Sequence, residues 1–148
     1  MKIGFIGLGN VGGKLANNLL NNKFDVTVLD KDSKIANEFQ SNGHKISTSI
    51  KDIVHDNDII ITCLPSPQAC ADVLASEDGI IENIQKDQIW IEMSTTDEDQ
   101  LRSHASLIES KNAIALEAPV SGGCHRAATG NISIFVGGSR KGFELALP

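Results

Sequence analysis

Three glycines near the N-terminus constrain the fold more than any other feature of the chain. Gly7, Gly9 and Gly12 follow an apolar segment at residues 2–6 and have the spacing G-x-G-x-x-G. In a nucleotide-binding βαβ unit the first glycine allows a tight turn, the second lets the backbone approach a pyrophosphate, and the third lets a helix pack on the strand. Apolar residues at helical spacing come next, at Val11, Leu15, Leu19 and Leu20. The segment therefore predicts a strand, a phosphate-binding loop and a helix whose N-terminus faces an anion.

An acidic residue ends the next predicted strand. Residues 25–29 are rich in β-branched and apolar side chains, and Asp30 follows them. In such a unit this carboxylate accepts hydrogen bonds from the adenosine ribose and repels the 2′-phosphate of NADP. We therefore predict NAD as the cofactor, with NADP as the alternative because Lys31 offers a cation to a phosphate. The simpler interpretation of Asp30 is a solvated residue of a polar turn.

Composition excludes several classes of function. The chain has 148 residues and a formal net charge of −6, with no basic cluster, which argues against a nucleic-acid partner. No apolar run reaches the length that crosses a membrane. The three cysteines form no C-x-x-C pair, which indicates reduced thiols. We therefore predict a single cytoplasmic domain that binds neither nucleic acid nor membrane.

Strand-like and helix-like segments alternate along the whole chain. This alternation predicts a Rossmann-type, doubly wound α/β fold with a mostly parallel sheet and helices on both faces. Residues 58–64 form an almost unbroken apolar run, typical of a central strand that is buried on both faces. Later strands are predicted over 44–47, 89–93, 113–117 and 131–136.

Other local features give finer predictions. Ser33 is placed to cap the second helix, and Ser49 the third. His44, His55 and His104 lie in polar stretches without metal-ligand spacing, so we expect surface side chains and no metal site.

Polar or proline-containing segments follow the carboxyl ends of the predicted strands. In an open parallel sheet these ends line one edge, where ligands bind. The segments are residues 7–12, Asp30, 65–66, 94–96 and 121–123.

Several of these segments together resemble the β-hydroxyacid dehydrogenase family, which includes 3-hydroxyisobutyrate dehydrogenases and tartronate semialdehyde reductases. The matching stretches are GFIGLGNVG at 4–12, ANNLL at 16–20, LPSP at 64–67, MSTT at 93–96, APVSGG at 118–123 and IFVGG at 134–138. The resemblance covers essentially the whole chain, and APVSGG is its most specific part. The chain departs from the family pattern at Val11, where methionine is usual, and at Glu117, where aspartate is usual.

The resemblance implies hydride transfer between a nicotinamide cofactor and a small 3-hydroxy acid or its semialdehyde. The implied cofactor-binding residues are Gly7, Leu8, Gly9, Asn10, Val11, Gly12, Asp30, Leu64, Pro65, Ser66 and Thr95. Ser121, Gly122 and Gly123 would bind the substrate carboxylate, a role that suits a loop whose two glycines let the main chain approach an anion. Simpler interpretations are a proline that ends a strand at 65, a helix cap at 94–96 and a flexible turn at 121–123.

The resemblance also implies a catalytic lysine in an all-helical domain that follows, and no residue here matches it. We therefore expect residues 1–148 to be a truncated dinucleotide-binding domain, without catalytic residues and inactive alone, from a parent that forms homo-oligomers. Two alternatives stay open at this point. One is a noncatalytic dinucleotide-binding regulatory module, and the other is an imine reductase similar to pyrroline carboxylate reductases, against which the 121–123 loop counts.

Overall fold

Alternating strands and helices build the structure, a computed structural model that describes residues 1–147. The first half contains β1 Lys2–Ile6, α1 Gly12–Asn21, β2 Asp25–Leu29, α2 Ser33–Ser41, β3 Lys45–Ile46, α3 Ile50–His55, β4 Ile59–Thr62 and α4 Pro67–Ala75. The second half contains α5 Ile80–Asn83, β5 Ile89–Glu92, α6 Glu98–Ser110, β6 Ile114–Glu117, β7 Val120–Ser121, α7 Gly123–Thr129, β8 Ser133–Ile134, β9 Gly137–Gly138 and α8 Arg140–Ala146.

The main sheet has the strand order β3-β2-β1-β4-β5-β6-β9. All neighbours from β3 to β6 are parallel, and β9 is antiparallel to β6. The chain leaves the sheet edge at β3 and crosses to β4, so the strand order reverses beside β1. Ligands of doubly wound sheets bind at this reversal, outside the carboxyl ends of the strands. The predicted Rossmann-type fold is confirmed.

Each face of the sheet carries its own apolar core. On one face Phe5 and Ile61 pack with α1, α2, α7 and α8, and on the other Ile60 and Trp90 pack with α3 to α6. Successive strand residues point to opposite faces, and all four residues of β4 are buried. The apolar run at 58–64 is therefore a central strand, as the sequence predicts.

The first of these faces is covered only in part. An apolar groove of about 440 Å³ lies between α1 and α8, and strand residues such as Ile61, Ile91 and Leu116 line it. Large apolar side chains of the last segments lie exposed, namely Ile134, Phe135, Val136, Phe143, Leu145 and Leu147. Helices do lie on both faces, but the layer over β4 to β6 on this side is incomplete.

Some local predictions need correction. Asp32, not Ser33, caps α2, because its carboxylate accepts the Lys34 N–H at 2.9 Å. The strand predicted over 131–136 shortens to β8, which pairs with β7 in a separate antiparallel ribbon. Gly137 and Gly138, which follow the predicted strand, form β9 in the main sheet.

His104 is not a surface residue, contrary to the prediction. Its side chain is 7% exposed on α6, between Leu101 and Ile108. Residues three and four apart share one face of a helix, so His104 lies on the apolar stripe that packs on the sheet. Burial lowers the pKa of His104.

Candidate dinucleotide site

The three glycines of the N-terminal loop have different surroundings. Gly7 has φ +96°, and a Cβ there would overlap the carbonyl oxygen of Cys63. A Cβ on Gly12 would overlap the carbonyl oxygen of Gly7, so this glycine lets α1 approach β1. A Cβ on Gly9 would meet no heavy atom within 4 Å. Two glycines are therefore required by the fold, whereas the space beside Gly9 is open to a ligand.

The loop also presents backbone donors. The N–H groups of residues 9 to 12 donate to no other group within residues 1–147. Val11, at the N-cap of α1, provides no side-chain cap. The first N–H groups of an α-helix lack partners inside the helix and favour an anion there. The end of α1 beside Gly9 therefore has the chemistry of a phosphate site.

Asp30 connects this loop to the end of β2. Its Oδ2 accepts the Leu8 N–H at 2.6 Å, and its Oδ1 accepts the Asp32 N–H at 2.8 Å. The Gly7 N–H donates to the Leu29 carbonyl oxygen at 2.9 Å. Asp30 is half-buried and bonded to the glycine loop, so it is more than a solvated turn residue. Each carboxylate oxygen keeps a second lone pair for a ligand donor.

The ends of β4 and β5 are joined by a serine. The Leu64 N–H donates to the Ser94 Oγ at 2.7 Å. Ser66 caps α4, where its Oγ accepts the Ala69 N–H at 3.2 Å, and Pro67 takes the first helical position. The strand end and the helix start thus hold residues 64–66 at the carboxyl edge of the sheet. β4 ends at Thr62, before Pro65 is reached, and a ligand role for residues 64–66 stays a prediction.

Residues 94–96 do not cap the helix that follows them. Asp97 is the N-cap of α6 and accepts the Gln100 N–H at 3.0 Å. Ser94 instead bonds to the β4 loop, and Thr95 is exposed beside it. The simpler interpretation of this segment is therefore wrong.

The 121–123 loop is a defined turn beside α1. Gly122, the N-cap of α7, has φ +136°, and Gly123, the first residue of α7, has φ +71°. The Nδ2 of Asn18 in α1 donates to the carbonyl oxygen of Ala127 at 2.6 Å and so holds α7. This hydrogen bond links α1 to α7, the helix that follows the predicted substrate loop, and the sequence interpretation did not anticipate it.

The sequence interpretation also missed Glu92, the last residue of β5. Glu92 is 1% exposed, and its Oε1 accepts the Ser94 N–H at 2.8 Å. Its Oε2 has no hydrogen-bond partner of good geometry within residues 1–147. Burial raises the pKa of Glu92, and hydrogen bonds from Ser94 and Thr62 oppose that rise. The signal in the sequence that could have identified Glu92 is an acidic residue at the end of an apolar strand.

A pH dependence of stability follows from Glu92. Its folded-state pKa lies above the ordinary value of 4.5, so as pH rises above 4.5 the unfolded chain loses the proton first. Stability falls with pH wherever the unfolded state binds fewer protons. Glu92→Gln cannot titrate at this position. Its free energy of unfolding, relative to that of the wild type, should therefore rise between pH 4.5 and neutrality. Urea unfolding at both pH values measures this, and a pH-independent difference would contradict it.

Other reactive groups are absent from the candidate site or poorly suited to chemistry. Burial raises the pKa of the Cys63 thiol to about 11, which disfavours a thiolate. Within residues 1–147, no group of three or more His, Cys, Asp or Glu side chains is arranged to hold a metal ion. No helix in that part of the chain is long and apolar enough to cross a membrane.

Residues 2–148 match the family described as the NAD-binding domain of 6-phosphogluconate dehydrogenase. The chain belongs to this family. The 3-hydroxyisobutyrate dehydrogenase of Rattus norvegicus, a mitochondrial protein by its name, is 34% identical over 144 residues, which are 97% of this chain and 43% of that protein. The chain spans about half the length of the curated relatives it matches.

A solved structure and a second curated protein are also similar to this NAD-binding domain. The solved structure of Mycobacterium tuberculosis 3-hydroxyisobutyrate dehydrogenase with L-serine has a TM-score of 0.88 and 29% identity, and covers 99% of this chain and 50% of that one. The cytokine-like nuclear factor N-PAC of Pongo abelii is 32% identical over 143 residues, 97% of this chain and 26% of that protein. The family is therefore an oxidoreductase family whose domain binds a nicotinamide dinucleotide, and one relative carries a name that denotes no enzyme.

Proposed function

We propose that this chain is the NAD-binding half of an oxidoreductase that transfers hydride between nicotinamide and a small 3-hydroxy acid or its semialdehyde. The observation that carries the proposal is the open space beside Gly9, between two glycines that the fold packs tightly. A bound pyrophosphate fits such a space because the backbone donors of residues 9 to 12 face no competing acceptor within residues 1–147. The names of the 3-hydroxyisobutyrate dehydrogenase relatives suggest the substrate class.

Each predicted site residue has a role in this proposal. The pyrophosphate lies on residues 7–12, Asp30 accepts the adenosine ribose hydroxyls, and residues 64–66 with Thr95 contact the nicotinamide half. Residues 121–123 bind the substrate carboxylate through backbone N–H groups. When bound, the nicotinamide supplies or accepts the hydride. None of these residues is assigned the hydroxyl proton, so residues 1–148 alone are expected to bind the cofactor without turning over a substrate.

The direct test is a calorimetric titration of this chain with NADH and, separately, with NADPH. We expect the binding of both NADH and NADPH to depend on the glycine loop. We expect NADH to bind more tightly than NADPH, because the Asp30 carboxylate repels a 2′-phosphate. Tighter binding of NADPH would keep the dinucleotide site and overturn the role of Asp30. Binding of neither ligand would contradict the site.

Replacement of Asp30 by asparagine should narrow any preference for NADH over NADPH. Asparagine keeps one oxygen that accepts the Leu8 N–H but removes the charge that opposes a phosphate. We expect the ratio of the two affinities to fall by about tenfold, which corresponds to about 1.4 kcal/mol. Asp32→Asn, two residues along the chain and exposed, is the matched control and should leave the ratio unchanged. A ratio that Asp30→Asn does not alter would remove Asp30 from the ribose site.

The activity, partners and location of the whole protein belong to the same proposal. We expect a full-length protein to oxidise a small 3-hydroxy acid with NAD and to form a homo-oligomer, and a substrate screen with sedimentation analysis measures both. A cytoplasmic location stays a prediction, since several relatives are mitochondrial by name.

A noncatalytic dinucleotide-binding module is the second candidate. It is favoured by the likeness to the nuclear factor N-PAC, which covers 97% of this chain. The two candidates differ in the full-length protein: dinucleotide binding without oxidation of any hydroxy acid would support the module. The imine reductase alternative stays a prediction without a supporting observation in residues 1–147.

A further inference from the structure

A chain of two hydrogen bonds links the buried end of β5 to the loop after β4. The Glu92 Oε1 accepts the Ser94 N–H at 2.8 Å, and the Ser94 Oγ accepts the Leu64 N–H at 2.7 Å. The backbone supports the same alignment, since Thr62 and Glu92 are register partners in the sheet and the Met93 N–H donates to the Thr62 carbonyl oxygen at 2.8 Å. The Ser94 side chain therefore adds one hydrogen bond to the backbone pairing that aligns these two strand ends.

The environment of this link is closed to water. Glu92 is 1% exposed and Ser94 is 5% exposed. Glu92 forms no ion pair within residues 1–147, and the titratable groups that face it are the thiols of Cys63 and Cys70. A buried carboxyl without a countercharge is costly for a fold, so its presence here calls for an explanation.

We propose that Glu92 is a positioning residue for the nicotinamide half of the cofactor, acting through Ser94 on Leu64. Its carboxyl orients Ser94, and the Ser94 hydroxyl holds Leu64 and the two residues after it at the edge of the site. This inference rests on the proposed function. Residues 7–12 and Asp30, which would hold the pyrophosphate and the adenosine ribose, share no hydrogen bond with this link, although Gly7 packs against Cys63 and Leu64.

A comparison of two ligands tests the inference on this chain. NADH and ADP-ribose share the adenosine, the pyrophosphate and the second ribose, whereas only NADH carries the nicotinamide ring. Ser94→Ala removes the acceptor of the Leu64 N–H with little change in volume. We expect the affinity for NADH to fall about tenfold and the affinity for ADP-ribose to stay within about twofold, because one hydrogen bond in one half of the site is lost. Ser103→Ala, an exposed serine of α6, is the matched control and should change neither affinity.

Glu92 itself is tested by two variants. Glu92→Gln keeps a side-chain oxygen for the Ser94 N–H and should preserve the ratio of the two affinities, while Glu92→Ala should reproduce the effect of Ser94→Ala. Trp90, the single tryptophan, is fully buried and donates to the Thr62 Oγ1 at 2.9 Å, so its fluorescence reports whether each variant is folded.

Three outcomes would overturn the inference. The first is an equal loss of affinity for both ligands in Ser94→Ala, and the second is no loss of affinity for either ligand. The third is equal affinity of the wild type for NADH and ADP-ribose. Failure of the wild type to bind either ligand is a different result, because it would overturn the dinucleotide site as a whole.

Discussion

Replacement of Gly9 by alanine is expected to remove dinucleotide binding and leave the fold unchanged. No heavy atom lies within 4 Å of the added Cβ, and Gly9 is not among the glycines with positive φ, so the protein can accommodate alanine. The new methyl group would instead occupy the space that a pyrophosphate needs. We expect the affinity for NADH to fall at least about 100-fold, or about 2.7 kcal/mol, and the free energy of unfolding to change by less than about 0.5 kcal/mol.

Gly137→Ala is the matched control for this variant. Gly137 lies in β9 at the far edge of the sheet, without positive φ, and an added Cβ would meet Glu117 at an ordinary contact distance of 3.6 Å. Calorimetry should find the same NADH affinity in Gly137→Ala as in the wild type. An unchanged affinity in Gly9→Ala would show that the pyrophosphate does not lie on this loop.

Replacement of Gly12 by alanine, unlike that of Gly9, is expected to lower the free energy of unfolding as its main effect. The added Cβ would overlap the Gly7 carbonyl oxygen and lie 3.2 Å from the Cys63 Cβ. The overlapped atom is backbone, which cannot turn away as a side chain does, so α1 must shift away from β1. We expect the free energy of unfolding to fall by about 3 kcal/mol, at the upper end of the usual cost of overpacking.

Denaturant unfolding of Gly12→Ala measures this loss. NADH binding should weaken as well, because the shift moves the N-terminus of α1 that would face the phosphates. Gly9→Ala serves as the comparison, since the two variants add the same methyl group three residues apart. A free energy of unfolding within about 0.5 kcal/mol of the wild type would contradict the close approach of helix and strand at Gly12.

The parts of the fold that the sequence predicted are those controlled by local patterns. The apolar run at 58–64 became the buried strand β4, and the alternation of elements became a parallel sheet with the expected strand bounds at Asp25–Leu29. The starts of helices were harder to predict from the sequence, because adjacent polar residues such as Asp32 and Ser33 can each serve as the N-cap. The short pairings of β7, β8 and β9 involve two residues each, too few to produce a periodic signal.

The sequence alone determined the glycine spacing, the acidic strand end and the set of loops that must share one edge, since each depends on residues close in the chain. Only the tertiary structure decided that Gly9 faces open space while Gly12 meets Gly7, and that Asp30 bonds to Leu8. The same holds for the burial of Glu92 and His104. These features depend on contacts between segments far apart in sequence, where burial and hydrogen bonding follow from how the layers pack and not from local residue preference.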